Sequence, residues 1–384
     1  MIPFGKPVLG AEERSAVADV LGGATLTHGP RVKEFESSFA EFTGAPHAIA
    51  TATCMASLHL AYLYLEVGPG DEVLVPAQTH VAMAHAVQAC GARPVFVDAD
   101  PRTGNVDLDQ LESLVTPRTR AISVVHYLGL PVDMERVLEI ARRHDCFVVE
   151  DCAIALGATY GDTHVGLLGD VGCFSFYPVK HITTGEGGMV ITTRDDVADR
   201  ISKQRAFGID KSVLADRRHT GTYEIEALGF NYRLGEISAA IGIEQMKRLP
   251  GFLEQRERNY RLLADGLEEI DELRVLETDD DGERRSSHYC LSAVLDEGLQ
   301  DRREQIIDEL KAGGVGTSVY YPKPLSDTRF YRETYGESAG SHPVAATISY
   351  GSIAFPVGPH IEEGDVETIV EAVKRVLAGV IVRG

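Results

Sequence analysis

Residues 174–188 read Phe-Ser-Phe-Tyr-Pro-Val-Lys-His-Ile-Thr-Thr-Gly-Glu-Gly-Gly and place a single lysine, Lys180, in an almost uncharged run. The chain has only nine lysines, so one isolated within an apolar segment stands out. Desolvation lowers the pKa of an amine and makes it available as a nucleophile toward carbonyl groups. A lysine that extends to the surface is the simpler alternative. The glycines that follow favour the reactive interpretation, because glycine lets a ligand approach the backbone closely.

This segment ends a region in which short β-branched runs alternate with helical patterns. The predicted strands are Ala48–Ala52, Glu72–Val75, Pro94–Val97, Ala121–His126, Phe147–Glu150, Cys173–Phe176 and Met189–Thr192. The predicted helices are Ala56–Leu65, Val81–Ala89, Leu108–Val115 and Met134–Arg143. The strands are apolar on both faces, and the last two follow one another without a helix. The pattern therefore predicts an α/β fold with a mixed, mostly parallel sheet.

The composition changes after Leu234, and a smaller C-terminal α+β domain is predicted there. Its predicted elements are the helices Gly235–Leu249, Leu253–Ile270, Arg303–Lys311 and Val366–Leu377 and the strands Tyr289–Leu295 and Val315–Tyr321. The polar stretch Glu277–Ser287 is predicted to be a turn between segments and nothing more. We place a large domain, with the N-terminal segment, at residues 1–248 and a small domain at residues 249–384.

The charge balance restricts the kinds of partner. The 384 residues include 37 Lys+Arg and 58 Asp+Glu, which gives a formal charge of −21, and 44% are hydrophobic. Nucleic acids and anionic membranes need a basic face, so neither is expected as the main partner. The composition is that of a globular protein with a large core. An anionic substrate would need a local concentration of hydrogen-bond donors.

The cysteines and the apolar segments indicate a cytoplasmic protein. None of the six cysteines forms a C-x-x-C pair, and most lie inside apolar runs, as buried reduced thiols do. The N-terminus lacks the apolar core of a signal peptide. Residues 48–65 carry no charge, but they contain Thr51, Thr53, Ser57 and His59 and lack a basic flank. We predict a strand, a turn and a buried helix there, and no membrane span.

Two motif matches fail on context. Gly336-Glu-Ser338-Ala-Gly340 has the letters of a serine-hydrolase elbow, but no apolar strand precedes it. No acidic residue lies between Ser338 and His360, the last histidine, so the expected triad order is absent. Asp98-Ala-Asp100 with Gly104 places its acids at the wrong positions for a calcium loop. Neither a dinucleotide-binding nor a P-loop motif occurs, and no metal site is predicted.

Two further features fit with Lys180. Asp151 follows the predicted strand 147–150, and ligand sites in open α/β sheets gather at the carboxyl ends of strands. An ion-paired or helix-capping role is the structural alternative for this acid. The turn Thr53-Cys54-Met55 leads into a helix whose first N–H groups suit a phosphate. An amine for the aldehyde, an acid for the pyridine nitrogen and a helix N-terminus for the phosphate predict a site for pyridoxal 5′-phosphate (PLP).

Several motifs carry a family resemblance. They are Gly68-Pro-Gly-Asp71-Glu-Val-Leu-Val-Pro76, Gly91-Ala-Arg-Pro94-Val-Phe-Val-Asp98, Glu150-Asp151-Cys-Ala, Gly169-Asp-Val-Gly-Cys-Phe174 running on to Gly188, and Gly229-Phe-Asn231-Tyr-Arg233. The chain resembles the nucleotide-sugar aminotransferases of the DegT/StrS type, which are fold-type I PLP-dependent enzymes. The resemblance implies amino transfer from an amino acid donor, L-glutamate, to a nucleotide-linked 3- or 4-keto-6-deoxy sugar.

The resemblance also implies roles for individual residues around the cofactor ring. Lys180 would hold PLP as a Schiff base and later move protons. Asp151 would pair with the pyridine nitrogen, and His80 would stack on the ring. His181 and Tyr320 are candidates for substrate contact, although packing is the simpler role for His181.

The phosphate site implied by the resemblance involves two subunits. Ser175 would bind the phosphate, with backbone help from Cys54 and Met55. Asn231 corresponds to the residue that reaches the phosphate in the neighbouring subunit, so a homodimer with shared active sites is implied.

Some positions depart from the family pattern, and two alternatives stay open. Ile154 stands where relatives carry Gln or His toward the phenolic oxygen of the cofactor, and Met55 replaces a threonine at the phosphate turn. Val319-Tyr320-Tyr321-Pro322 stands where relatives commonly carry a His-Tyr pair, and Ser326 replaces another frequent histidine. Related 3-dehydratases carry histidine in place of the lysine, so Lys180 favours transamination. Cyclitol aminotransferases share the same motifs and remain an alternative.

Overall fold

A computed structural model describes residues 1–209, 223–278 and 282–382 of the chain. The helices in these ranges are α1 (Ala11–Gly22), α2 (Pro30–Thr43), α3 (Cys54–Tyr64), α4 (Val81–Ala89), α5 (Leu108–Ser113), α6 (Met134–His144), α7 (Asp195–Gln204), α8 (Glu236–Leu267), α9 (Arg303–Ala312), α10 (Arg329–Tyr335), α11 (Pro343–Gly351) and α12 (Glu363–Val382). The strands are β1 (His47–Thr51), β2 (Glu72–Pro76), β3 (Arg93–Val97), β4 (Thr119–Val125), β5 (Phe147–Asp151), β6 (Thr159–Tyr160), β7 (Thr163–His164), β8 (Val171–Ser175), β9 (Gly188–Thr192), β10 (Leu273–Val275), β11 (Arg284–Arg285), β12 (Leu291–Leu295) and β13 (Ser352–Phe355).

The central sheet has seven strands in the order β1-β9-β8-β5-β4-β2-β3. The neighbours from β8 to β3 pair in parallel, whereas β9 runs antiparallel to both β8 and β1. Most of the strand residues are buried, because helices cover both faces of the sheet. The predicted mixed, mostly parallel α/β sheet is therefore confirmed, and each of its seven predicted strands is present.

The pairing directions bring the carboxyl ends of six strands to one edge of the sheet. β2, β3, β4, β5 and β8 are mutually parallel, and β1 shares their direction because both β1 and β8 are antiparallel to β9. Asp151 ends β5 and Ser175 ends β8, while β1 leads through Thr53 into α3. β9 starts at the same edge with Gly188, where an added Cβ would lie 2.5 Å from the Thr53 carbonyl carbon. Only glycine permits this close approach.

A second sheet, with the order β10-β12-β13, is antiparallel and packs against α9, α12 and the C-terminal half of α8. The predicted strand Val315–Tyr321 is wrong, because this segment forms no continuous ladder. Residues 315–321 contribute only isolated bridges, from Val315 to Ile2 and from Ser318 to Ala354 of β13. At Gly316 an added Cβ would lie 2.8 Å from the nitrogen of Phe4. The N-terminal arm thus lies against this segment.

Helix α8 corrects the prediction of two separate helices. It runs for 32 residues with Pro250 in its interior. The proline removes one backbone hydrogen bond, but Leu249 and Phe252 on either side of it are both buried, and their packing maintains the helix. The division between residues 1–248 and 249–384 falls inside α8 and stays a prediction.

The stretch Glu277–Ser287 is more than the predicted turn. Asp279, Asp280 and Asp281 lie outside the described residues, but the flanking residues are bonded to the large sheet region. The Glu277 N–H donates to the Arg102 carbonyl at 3.0 Å. β11 pairs with β6, and the Ser287 N–H donates to the Gly129 carbonyl at 3.1 Å. These partners are more than 100 residues away, so local composition did not indicate them.

Residues 48–65 form most of β1 and then α3. Across residues 1–209, 223–278 and 282–382, no helix combines the length and apolarity that crossing a bilayer requires. All six cysteines fall in these ranges and carry free thiols.

Candidate active site

Asp151 is a buried carboxylate at the end of β5. Its side chain is 3% exposed, and Oδ1 accepts a hydrogen bond from the Ala153 N–H at 2.9 Å. Burial raises the pKa of Asp151, while the Ala153 N–H and the charges of Lys180, His80 and His126 oppose that rise. The carboxylate is therefore surrounded by groups that favour its ionised form.

A buried pair, Glu150 and His126, lies directly beside Asp151 in sequence and space. The His126 Nε2 lies 2.9 Å from the Glu150 carboxylate, and the Val132 N–H donates to Nδ1, so Nε2 carries the hydrogen. The Glu150 carboxylate also accepts from the N–H groups of Gly166, Leu168 and Gly169. His126, Glu150 and Cys152 offer atoms of metal-ligating types within 4.8 Å of one another. Because the Nδ1 lone pair and the carboxylate are already hydrogen-bonded, we interpret this cluster as a structural network.

Lys180 lies in the turn that follows β8. Its N–H donates to the Tyr177 carbonyl at 2.9 Å, and its Nζ lies 5.3 Å from the centre of the Tyr289 ring. Within the described parts of the chain, Nζ has neither a carboxylate nor a hydrogen-bond acceptor in reach. Burial lowers the pKa of Lys180, and the Asp151 carboxylate opposes that shift. This arrangement leaves a desolvated amine beside a buried acid.

The start of helix α3 forms the third part of the site. Thr53 caps the helix, and its side chain accepts a hydrogen bond from the Ala56 N–H at 3.1 Å. The N–H groups of Cys54 and Met55 have no preceding helical turn to donate to. Cys54 is half-buried, whereas Met55 is 39% exposed. Ser175, at the adjacent end of β8, is half-buried and accepts only a long bond of 3.4 Å from the Tyr177 N–H.

His80 lies at the rim of the same site. It caps helix α4, where its Nδ1 accepts a hydrogen bond from the Ala82 N–H at 3.2 Å. Partial burial lowers the pKa of His80, and the Asp151 carboxylate opposes this. The His80 ring centre lies 5.9 Å from that of Tyr321. The ring is thus bonded through Nδ1 to the start of α4, while Nε2 has no hydrogen-bond partner among the described residues.

Asn231 is exposed on a segment that adjoins the end of β1. The neighbouring Tyr232 carbonyl accepts from the Ala52 N–H at 2.8 Å, and Arg233 bridges to Thr51. Asn231 itself forms a bridge with Ala206. Its proposed reach into a second subunit stays a prediction.

His181 and Tyr320 contact other protein groups. His181 is buried, its Nε2 lies 3.2 Å from the Ser287 carbonyl, and its ring centre lies 5.7 Å from that of Tyr289. Burial holds the pKa of His181 well below its usual value, so the ring is a neutral packing group in the wall beside Lys180. The Tyr320 hydroxyl lies 2.8 Å from the Tyr289 hydroxyl. The half-buried Tyr320 remains the better candidate for substrate contact.

Three residues of this region were not predicted from the sequence. Tyr289 contacts Lys180, and Tyr321 lies close enough to Asp151 for the carboxylate to raise its pKa further. Gln78 donates to the Tyr320 carbonyl at 2.9 Å and accepts from Ser349 at 2.7 Å, which ties the C-terminal residues to the end of β2. Gln78 and Tyr321 adjoin positions that the sequence did single out, whereas no pattern marks Tyr289.

The departures from the family pattern have structural consequences. Ile154 is buried in the hydrophobic core, and its side chain cannot donate a hydrogen bond. Ser326 is also buried, with its hydroxyl 2.8 Å from the His342 Nδ1, and His342 Nε2 donates to the Phe96 carbonyl at 3.1 Å. Ser326 is thus held by a histidine from the start of α11.

The fold and the site define a class of protein: an α/β enzyme of the fold-type I aminotransferase kind. The chain belongs to the DegT/DnrJ/EryC1/StrS aminotransferase family, whose model matches residues 7–374. It is 37% identical over 378 residues to the GDP-perosamine synthase of Caulobacter vibrioides, covering 98% of each chain. The enzyme is thus an aminotransferase of a family that includes sugar aminotransferases.

Solved structures agree with this assignment. The aminotransferase TlmJ from Streptoalloteichus hindustanus is 33% identical, with a TM-score of 0.90 over 99% of this chain and 100% of that one. Spr1654 from Streptococcus pneumoniae, solved in its PMP form, is 29% identical, with a TM-score of 0.93 and the same coverage. The solved relatives therefore include proteins that carry the PLP-derived cofactor.

Proposed function

We propose that this enzyme transfers the amino group of L-glutamate to a keto sugar, and that the acceptor is a nucleotide-linked 3- or 4-keto-6-deoxy sugar. The observation that carries the proposal is the Lys180 amine, which is desolvated, lacks an acceptor among the described residues and interacts with the buried Asp151 carboxylate. A lysine that only stabilised the fold would be paired or solvated.

The residues at this edge of the sheet fit PLP. Lys180 would hold the aldehyde carbon, Asp151 would keep the pyridine nitrogen protonated, and His80 would cover the ring. The free N–H groups of Cys54 and Met55 and the weakly bonded Ser175 hydroxyl would receive the phosphate. PLP bound there supplies an electron sink that stabilises negative charge at the carbon next to the transferred nitrogen.

Lys180 would also move the proton in both half-reactions. Its Nζ takes a proton from the α-carbon of the donor, because burial lowers the pKa of this amine toward the range of a general base. In the second half-reaction the same atom acts in the reverse sense on the carbon that receives the amine. General acid–base help of this kind contributes about 10²–10⁴-fold to the rate.

The nature of the acceptor rests on the relatives. GDP-perosamine synthase and the sugar aminotransferase CalS13 carry names that imply sugar substrates. Lysine at position 180 supports transamination over the dehydration catalysed by related enzymes with histidine there. Cyclitol ketones share the ketone chemistry and serve as the competing acceptors in the test.

We further propose a cytoplasmic homodimer in which Asn231 completes the phosphate site of the second subunit. An exposed apolar surface adjoins Asn231 and supports this proposal. It comprises Phe207, Tyr223, Ile225 and Leu228, which are 45%, 55%, 58% and 67% exposed. Large apolar patches of this kind are typical of protein interfaces. The six free thiols fit a reducing compartment.

The test compares wild type with Lys180→Ala, and uses Lys311→Ala on the exposed face of α9 as the matched control. We expect Lys180→Ala to abolish turnover and Lys311→Ala to retain it. In wild type, borohydride should fix PLP to the peptide that contains Lys180, as located by mass spectrometry. Near-normal transamination by Lys180→Ala would refute the assignment.

A panel of nucleotide-linked keto sugars and cyclitol ketones, followed by mass spectrometry, tests the acceptor. We expect an amino sugar from the former only. An aminocyclitol, or release of water with a retained ketone, would refute the proposed acceptor while leaving the role of Lys180 testable.

A further inference from the structure

A small cavity borders Lys180 where the N-terminal arm meets α8. Its volume is about 20 Å³, and its lining includes Lys6, Lys180, Arg256 and two histidines, His181 and His360, but no acidic side chain. We call this space the basic cavity. Burial lowers the pKa of both histidines, so they are neutral members of the lining. In a chain with a formal charge of −21, an acid-free basic lining is not the expected background. It indicates a place for an anion.

The buried guanidinium of Arg256 is the main evidence for this site. It is 5% exposed, and its Nη1 donates to the Tyr289 carbonyl at 2.8 Å. Its Nε has no hydrogen-bond partner, and no carboxylate of the described residues forms an ion pair with the guanidinium. A buried cation without an anion is strongly disfavoured in a folded protein. The structure therefore lacks a negative group at this point.

A second unpartnered atom lies in the same cavity. The His360 Nε2 donates to the Pro3 carbonyl at 2.9 Å, whereas its Nδ1 is buried without a partner. At Gly358, between these groups, an added Cβ would lie 2.9 Å from the His360 Nδ1 and 3.5 Å from the Arg256 Nη2. Because Nε2 carries the hydrogen, Nδ1 of the neutral ring is an acceptor, and Arg256 is the group at this space that can donate to an anion.

The basic cavity is close to the proposed reaction centre. The Tyr289 ring has the Lys180 Nζ 5.3 Å and the Arg256 Cζ 5.8 Å from its centre. Lys180 and Arg256 thus both lie against the same aromatic side chain, Tyr289. A cavity of about 20 Å³ exceeds what one water needs and suits a carboxylate head group, not a sugar.

We propose that the basic cavity binds a carboxylate of the amino donor, with Arg256 as its principal charge partner. This inference rests on the proposed function, because it assumes that an amino acid reacts at Lys180. It assigns donor recognition to α8, the N-terminal arm and the loop at residues 358–360. The acceptor ketone then needs no contact with Arg256.

The main experiment measures the donor half-reaction of the PLP-loaded enzyme by the absorbance change on addition of L-glutamate. We expect Arg256→Gln to raise the half-saturating glutamate concentration by about 10- to 100-fold, the loss of one charge-assisted hydrogen bond. The acceptor KM should change less than about twofold. Arg303→Gln is the matched control, because Arg303 is also buried, also donates to a backbone carbonyl and also has an unpartnered Nε, but lies outside the cavity.

Lys6→Gln is a second test variant in case Arg256→Gln does not fold. Lys6 is exposed at the mouth of the cavity, so its substitution should leave the fold intact. We expect it to raise the half-saturating glutamate concentration by about threefold. An unchanged donor saturation in both Arg256→Gln and Lys6→Gln would overturn the proposal. This assay needs no keto sugar, so a wrong acceptor would not affect it.

Calorimetric titration of the protein without cofactor gives a readout independent of turnover. Glutarate, a dicarboxylate without an amine, should bind wild type and fail to bind Arg256→Gln. Formate and chloride are titrated in parallel, as probes for the binding of small free anions. If these bind at Arg256 while glutarate does not, the cavity is a site for small free anions and the proposal is wrong.

Discussion

Lys180 and Asp151 are two opposite charges that the fold withdraws from water at one sheet edge. Burial lowers the pKa of the amine and raises that of the acid, so each group is driven toward its neutral form, and each opposes the shift of the other. Among the described residues, the Lys180 amine and the Asp151 carboxylate do not form a salt bridge with each other. Such an arrangement suits a ligand that separates the two charges.

Asp151→Asn should stabilise the cofactor-free protein and impair catalysis. Because the folded state raises the pKa of Asp151, the ionised carboxylate costs stability as pH rises above 3.8. We expect the free energy of unfolding to rise by about 0.5–2 kcal/mol at pH 8, and this gain to fall toward zero near pH 4. Urea unfolding at both pH values measures the difference. The exposed Asp308→Asn should change little, and a loss of stability at pH 8 would contradict the prediction.

Met55→Thr should tighten PLP binding. The substitution adds a hydroxyl at the first turn of α3, where the N–H groups are free to bind a phosphate. One additional hydrogen bond corresponds to about 0.5–1.5 kcal/mol, or about a 2- to 10-fold lower Kd. Titration of the cofactor-free protein with PLP measures this. Met55→Val has the same shape without the hydroxyl, and equal affinities for the two variants would refute the prediction.

At the scale of elements, α8 connects the two sheets and carries Arg256. Two of its glycines differ sharply in their surroundings. An added Cβ at Gly251 has no atom within 4 Å, whereas one at Gly242 would lie 2.7 Å from the Phe35 ring. Gly251 therefore only weakens the helix, at a surface position. Gly242 allows α2 and α8 to pack closely against each other.

Gly251→Ala should therefore stabilise the protein by about 0.5–1 kcal/mol, because alanine loses less backbone entropy in a helix. Gly242→Ala should destabilise it by about 1–3 kcal/mol through overpacking. Chemical denaturation of the two variants gives both values. The same sign for both substitutions would contradict the prediction, because it would show that side-chain space does not decide their effects.

At the scale of the whole molecule, the proposed dimer predicts complementation between two impaired chains. Lys180→Ala lacks the amine, and Asn231→Ala lacks the group that would reach the partner's phosphate. A hybrid dimer of the two would contain one site with both substitutions and one with neither. Co-expression should restore about a quarter of wild-type activity if hybrids form at random. If each site is built from one chain, mixing would give no gain.

Periodicity and local chemistry by themselves determined the mixed sheet, the carboxylate at the end of β5 and the isolated lysine after β8. These depend on neighbours along the chain: β-branched runs form strands, and parallel strands bring their carboxyl ends together. The resemblance then named the residues around a cofactor.

Only the tertiary structure placed Tyr289 beside Lys180, and Arg256 and His360 in one cavity. It also showed that residues 315–321 form isolated bridges to the N-terminal arm and to β13 and no continuous strand. These contacts join residues more than 70 positions apart, and their energy comes from burial and from hydrogen bonds that local pattern does not encode. Long-range packing thus selects among the conformations that the local sequence permits.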